Sequence, residues 1–273
     1  MRASQTDIVA TRMIAGGAAA LAFSVFTDSG LEHYRGSFAN PTMVLPLGAS
    51  ALSLAMNGRR SKKPESGGSE VPTISHVAST AVGLIGLGFH VFNVMKRPGG
   101  LTFNNLFYGA PAGAPASLLL SGMLGGIADR LAKGEEEIGS FGITSGRAVA
   151  GIVSVGILGT VGEAALLHFR GAFHDPFMWL PVTLPPVAAL SLARDVADNT
   201  PRGATTALLA ATAVLGVLGV GFHTYGVSRN MGGLSNWRQN ILVGPPIPTP
   251  PAFTGLAIAG IGALMLMKAR RKA

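Results

Sequence analysis

Long apolar runs broken by short polar or basic stretches cover most of this chain. A helix that crosses a bilayer needs about 20 mostly apolar residues. Eight segments meet or approach that length, near residues 11–33, 41–57, 75–95, 113–132, 146–168, 176–194, 203–227 and 251–269. The pattern predicts a transmembrane helix over each. The second and sixth are short and carry Pro46, Pro181, Pro185 and Pro186, so kinks, tilts or burial against neighbours are expected there. Residues 13–26, following Arg2 and Arg12, have the form of a signal-peptide core. A similar segment recurs at 147–168, deep inside the chain, so the first stretch is read as a retained helix.

The two halves of the pattern match each other. An acid, a His, an Arg-Gly, a Phe, a Pro, a Met and a Leu-Pro recur at one spacing. The first copy is Asp28, His33, Arg35-Gly36, Phe38, Pro41, Met43 and Leu45-Pro46; the second is Glu163, His168, Arg170-Gly171, Phe173, Pro176, Met178 and Leu180-Pro181. Further on, Gly86, Gly88, Phe89, His90, Lys96 and Gly99-Gly100-Leu101 match Gly219, Gly221, Phe222, His223, Arg229 and Gly232-Gly233-Leu234. Each is followed by a polar-aromatic loop and a proline-rich lead into the last helix, Pro111 to Pro115 and Pro246 to Pro250. The expected fold is therefore an all-α integral membrane protein of about eight transmembrane helices, two tandem repeats of a four-helix unit. Residues 1–138 form the first repeat and 139–273 the second. An even number of helices per unit makes the repeats parallel, with their axis along the membrane normal. Residues 57–72 read as a flexible loop and 135–137 as the linker. Small residues about one turn apart (Gly16 and Ala20, Gly156 and Thr160, the runs 83–88 and 216–221) are expected at helix–helix contacts.

Composition supports the membrane reading. The chain is 48% hydrophobic and 12% charged, against about a quarter charged in soluble domains. The net charge of +8 could suggest nucleic acid, but the basic residues sit in short runs between apolar segments and form no single binding face. Of 21 Lys and Arg, 15 fall in one alternate set of loops and termini: Arg2 and Arg12, 59–63, 130–147, 194–202 and 268–272. The positive-inside rule then puts both termini in the cytoplasm, with a bacterial inner membrane as the expected location. No cysteine is present, which excludes disulfides, zinc-thiolate sites and Cys-ligated iron–sulfur clusters. There is no phosphate-binding loop, dinucleotide fingerprint or nucleophile elbow.

The candidate chemistry lies in four matched histidines, His33, His90, His168 and His223, at the outward ends of the first, third, fifth and seventh helices. Imidazoles there can ligate haem, bind metal or shuttle protons. Asp28 and Glu163 precede their histidines within or close to apolar segments, where an acid is costly, and could orient an imidazole or carry protons. Met43 and Met178 could give copper soft ligands beside the histidines. Arg35, Arg170, Lys96 and Arg229 could hold propionates, a quinone oxygen or an anion. Gly86 and Gly219, one turn deeper than His90 and His223, leave room for a flat group or for a tightly packed helix. The plainer readings are a histidine capping a helix end, arginine as an interface anchor and methionine as packing. His76 and His174 have no partner in the other half and are read as non-functional.

The expected function is a membrane-embedded electron-transfer subunit. It would hold haem b on those histidines near the outer face and work between a periplasmic dehydrogenase, docked on the outer loops (Phe103, Phe107, Tyr108, Trp237), and the quinone pool. The alternatives are a copper protein, a proton-coupled solute transporter, and a cofactor-free anchor or scaffold.

Overall fold

A computed structural model describes residues 4–65, 71–135, 137–138 and 142–271. Arg2, the Gly-rich part of the 57–72 loop, Glu136 and Lys272 lie outside the described residues. A helix forms at every place where the apolar pattern predicts one. These are α1 (Gln5–Arg35), α2 (Leu45–Lys62), α3 (Val71–Met95), α5 (Gly113–Ala132), α6 (Ser145–Arg170), α7 (Leu180–Ala197), α8 (Gly203–Ser228) and α10 (Pro251–Arg270). Two further short helices, α4 (Phe103–Phe107) and α9 (Trp237–Val243), occupy the stretches expected to be loops. The 135–144 region carries a minimal antiparallel pair, β1 (Glu137–Ile138) with β2 (Ile143–Thr144). The basic end of the 57–72 loop is helical, because α2 continues to Lys62.

Among the described residues, six helices are long and apolar enough to cross a membrane: α1, α3, α6, α7 with its leading turn, α8 and α10. The other two expected spans form helices but fall short on apolarity. Arg59, Arg60 and Lys62 fill the last turn of α2, and α5 carries Ser117, Ser121, Asp129 and Arg130. Large apolar side chains such as Ile74, Val77 and Ile85 on α3 and Val217 on α8 are exposed, as a lipid-facing surface requires.

α1 and α10 form the centre. A capping box opens α1: Ser4 Oγ accepts from the Asp7 N–H and Asp7 Oδ2 accepts from the Ser4 N–H, each at 3.2 Å. Ile14 and Leu21 of α1 and Leu256 and Leu266 of α10 are fully buried. The helices approach backbone to backbone at Gly17 and Gly255. A Cβ on Gly255 would stand 2.6 Å from the Gly17 carbonyl oxygen, so only glycine fits. α5 and α6 meet in the equivalent way but carry Leu120 and Ile152 at those positions, and they touch only briefly. Glycine closes one interface; branched side chains hold the other apart.

The small-residue runs in α3 and α8 also act in packing. A Cβ on Gly83 would meet the α5 backbone at Leu119, and one on Gly216 would meet the α10 backbone at Thr254. Each of these helices therefore lies directly against its neighbour.

Candidate functional site

The carboxyl ends of α1, α3, α6 and α8 gather at one end of the bundle, with the amino ends of α5 and α10. After α1 the chain turns through Ser37 and Phe38, at φ +55° and +47°. After α6 it turns through Ala172 and Phe173 at the same two angles. Left-handed backbone at bulky non-glycine residues is uncommon, and here it occurs at the same step in both halves. Asn40 and Asp175 then cap the 3-10 turns Pro41–Val44 and Pro176–Trp179, accepting from the N–H of Thr42 at 2.9 Å and of Phe177 at 3.0 Å. The folded-back turns bring the carbonyls of Met43 and Met178 to the histidines.

All four matched histidines bind a backbone carbonyl through Nδ1. His33 pairs with Met43 O at 2.6 Å and His168 with Met178 O at 2.8 Å. His90 pairs with Pro111 O at 2.5 Å and His223 with Pro246 O at 2.6 Å. A carbonyl only accepts, so Nδ1 carries the hydrogen in each, and in the neutral ring Nε2 keeps its lone pair. By their charges the four fall into two neighbouring pairs. His33 lies close enough to His90, and His168 to His223, for their charges to interact.

The remaining candidate residues fall into place around these pairs. Met43 and Met178 give the histidines their backbone oxygens, while their terminal methyls pack over Gly36 and Gly171. Arg35 donates to the carbonyls of Ile241 (2.8 Å) and Gly244 (3.3 Å) at the end of α9 and pairs with Glu32. Arg170 donates to Leu106 O and Gly109 O, both at 3.2 Å, at the end of α4. Each arginine thus caps the short helix of the opposite half. Lys96 and Arg229 rest over the rings of Phe92 (5.8 Å) and Tyr225 (5.4 Å). Gly86 and Gly219 face Pro115 and Pro250, whose Cβ atoms would lie 3.2 and 2.7 Å from an added Cβ. That gap is taken by a packed helix, and Gly219 also borders the cavity described next.

A cavity of about 510 Å³ opens beside the His168–His223 pair. Asp28, Glu163, Met178 and Arg229 line it, with Phe177 and Phe222 stacked at 4.6 Å on its wall. It reaches across the loosely packed α5–α6 side to α1, which explains why Asp28 of one half and Glu163 of the other both border it. The acids lie close enough for their charges to interact. Their anchoring differs. The Glu163 carboxylate lies against the backbone N–H groups of Ala112 and Gly113 at the start of α5. The matching residues before α10 are Ile247 and Pro248, and proline has no N–H to give Asp28. The charged neighbours of Asp28 are Glu32, Glu163 and Arg35.

Two further features were not singled out from sequence. Buried Asn105 donates to the carbonyls of Pro98 (3.0 Å) and Gly100 (2.8 Å), and buried Asn240 donates to Met231 (3.3 Å) and Gly233 (2.8 Å). These asparagines tie α4 and α9 to the Gly-Gly turns; their signal was an asparagine at the same place in both aromatic loops. The second is His76, buried at the opposite end of the bundle within 3.2 Å of Asp129, which also accepts from Arg60 at 2.6 Å. His174 stays exposed, its Nδ1 on its own loop at Gly171 O.

No protein-family model matches the chain, and no match is found among curated proteins or solved structures.

Proposed function

We propose that this chain is a membrane-embedded electron-transfer subunit in which His33 with His90, and His168 with His223, hold haem b. The observation that carries the reading is the set of four Nδ1-to-carbonyl bonds. A metal-ligating histidine usually has its second ring nitrogen fixed in this way, which sets the tautomer and makes the ligand more basic. The donor chemistry fits haem, with two neutral imidazoles per site, each with an Nε2 lone pair. The cavity beside His168 and His223 adds apolar walls and one cation, Arg229. Arg35 and Arg170 hold backbone carbonyls, so in this reading Arg229 and Lys96 are the cations left to meet propionates.

Bound there, haem would supply one-electron chemistry. The chain's own part is to fix the imidazoles, exclude water with Phe177 and Phe222, and hold protons at the carboxylates of Asp28 and Glu163. The quinone pool is the electron partner in this reading. A periplasmic dehydrogenase would dock on the surface made by α4 and α9, where Phe103, Tyr108 and Trp237 are exposed.

The finer architecture belongs to the same proposal. The chain is read as eight spans in two parallel tandem repeats, 1–138 and 139–273, in a bacterial inner membrane with both termini cytoplasmic. The reciprocal arginine caps, the shared turn angles and the matched histidine bonds support the repeat; the distribution of basic residues supports the orientation.

Copper is the alternative occupant. Among the described residues no three of His, Asp and Glu converge as a metal site, so each histidine pair would offer copper two ligands. Optical spectra of the purified protein, oxidised and dithionite-reduced, with metal analysis on the same sample, separate the two. Sharp reduced α/β bands support haem. A colourless sample prepared with haem available sinks it.

A further inference from the structure

We infer that the first half of the chain contains a proton path. It is loaded at His76, near the end of the bundle where both termini lie, and leads to the Asp28–Glu163 cavity. It goes beyond the haem reading and does not depend on a cofactor.

Six polar residues of α2, α3 and α5 lie buried in series: Arg60, Asp129, His76, Asn57, Ser53 and Ser121. Their hydrogens can be assigned from the bonds. Ser121 Oγ donates its single hydrogen to Ala18 O at 2.7 Å, so Ser53 must donate to Ser121 across 2.9 Å. The Ser53 oxygen then accepts from Asn57 Nδ2 at 3.1 Å, which fixes the amide with Oδ1 on its other side. Asn57 Oδ1 has no donor, and His76 Nδ1 has no acceptor. Both atoms converge on Gly125, where an added Cβ would meet each of them. A hydrogen on His76 Nδ1 would face that oxygen across the gap at Gly125. His76 Nε2 lies 3.2 Å from Asp129 Oδ2. The charged groups facing His76 are Asp129 from α5 and Arg60 from α2.

For a proton to pass on, Ser121 turns its hydrogen from Ala18 O toward the cavity. Ser117 lies one turn beyond Ser121 on α5 and lines the cavity with both acids. That turn is about 5.4 Å, which one water bridges between two hydroxyls. One proton enters at His76; Asn57 takes a hydrogen on Oδ1 and releases one from Nδ2 to Ser53, Ser53 passes one to Ser121, Ser121 gives its own toward Ser117, and one proton arrives at the carboxylate of Asp28 or Glu163, after which return of Asn57 from the imidic to the amide form and rotation of the hydroxyls resets the series. Glu32, Arg35 and Arg170 are the charged neighbours of those acids, and Arg229, Asp175, His168 and His223 line the same cavity.

The second half is the internal control. A Cβ on Gly260, the counterpart of Gly125, would meet Leu192 and Leu209 where Gly125 meets Asn57 and His76. Leu256 and Leu264 stand where the first half has Ser121 and Asp129. At the places of Asn57, His76, Ser121 and Asp129 the same packing is built from leucine, while buried Asp195 stands at the place of Arg60 and pairs with Arg202, so the helices pack there without a linked polar series. A buried, incompletely satisfied polar series is costly, and only one half has it.

The test is proton flux into liposomes containing the full-length protein, read by an entrapped pH dye under a valinomycin-imposed potassium potential. Flux above that of protein-free vesicles is expected, falling to the protein-free rate in Ser121→Ala and in His76→Leu. Ser121→Ala removes one oxygen from a packed site, and its melting temperature, compared with that of the parent, shows that it is folded. No flux above protein-free vesicles, or undiminished flux in folded Ser121→Ala, overturns the path. Optical spectra of the same preparations keep this outcome separate from the haem reading: flux without haem leaves the path standing alone, and haem without flux leaves only the cofactor.

Discussion

Arg170 Nη2 donates to the carbonyl oxygen of Gly109 at 3.2 Å, linking the end of α6 to the segment that leads into α5. Arg35 makes the reverse connection to Gly244. The two bonds close the histidine end of the bundle from both sides, and each orders the proline-rich segment whose carbonyl holds a histidine, Pro111 for His90 and Pro246 for His223. Arg170→Ala should therefore destabilise the fold by about 2–4 kcal/mol, from two lost charge-assisted bonds and two carbonyls left open. Arg170→Lys should recover only part of this, because an ammonium lacks the planar fork. Thermal denaturation in detergent measures both; an unchanged melting temperature in Arg170→Ala would contradict the capping role.

Histidine and methionine should separate cleanly in the cofactor assay. His168→Ala and His223→Ala should each remove the optical signature of their site, and His33→Ala and His90→Ala that of the other. Met178→Leu and Met43→Leu should leave the spectrum nearly unchanged, because those residues act through their backbone carbonyls. Loss of signal on changing Met178 would instead point to sulfur ligation.

The close approach of α1 and α10 should tolerate no side chain. Gly255→Leu is expected to cost at least about 3 kcal/mol, at the upper end of overpacking, and to lower the yield of monodisperse protein on size exclusion. Gly162→Ala on α6 has no atom within 4 Å of the new methyl and should be neutral or slightly stabilising. Equal effects at the two sites would argue against this packing.

Much of this was legible in the sequence. The eight helices, the matched histidines and the acids before them follow from apolar run length and residue type. What was missed depends on contacts that residue type does not record. Arg35 and Arg170 look like anion-binding cations until the distant carbonyls they reach are known. The methionines look like thioether ligands because a backbone oxygen carries no residue label. α4, five residues long, is too short for helical periodicity to show. His76 has no histidine counterpart in the other half, so the repeat gives it no weight, yet the leucines that replace it and its polar neighbours there are what make the polar series stand out.

On the loop between α7 and α8, the hydrogen bond from Arg202 holds the Asp198 carboxyl below the usual carboxylate range, and raises Arg202 in turn. For a depressed acid the stabilisation is fully present above its unfolded pKa and is lost as pH falls through the folded one. Asp198→Asn should therefore melt slightly lower than the parent at neutral pH, with the difference closing in acid below the ordinary carboxylate range. The pair is solvent-exposed, so the effect should also shrink with added salt. A difference that grows as pH falls would contradict the assignment.

The most direct test of the cofactor proposal is the reduced-minus-oxidised optical spectrum of the full-length protein, purified in detergent from cells supplied with haem, with iron and copper measured on the same sample. The expected result is a Soret band and sharp α/β bands, lost on changing His223 to Ala. A colourless, iron-free sample would contradict the haem proposal; copper found there instead would move the histidine pairs to a metal-binding role.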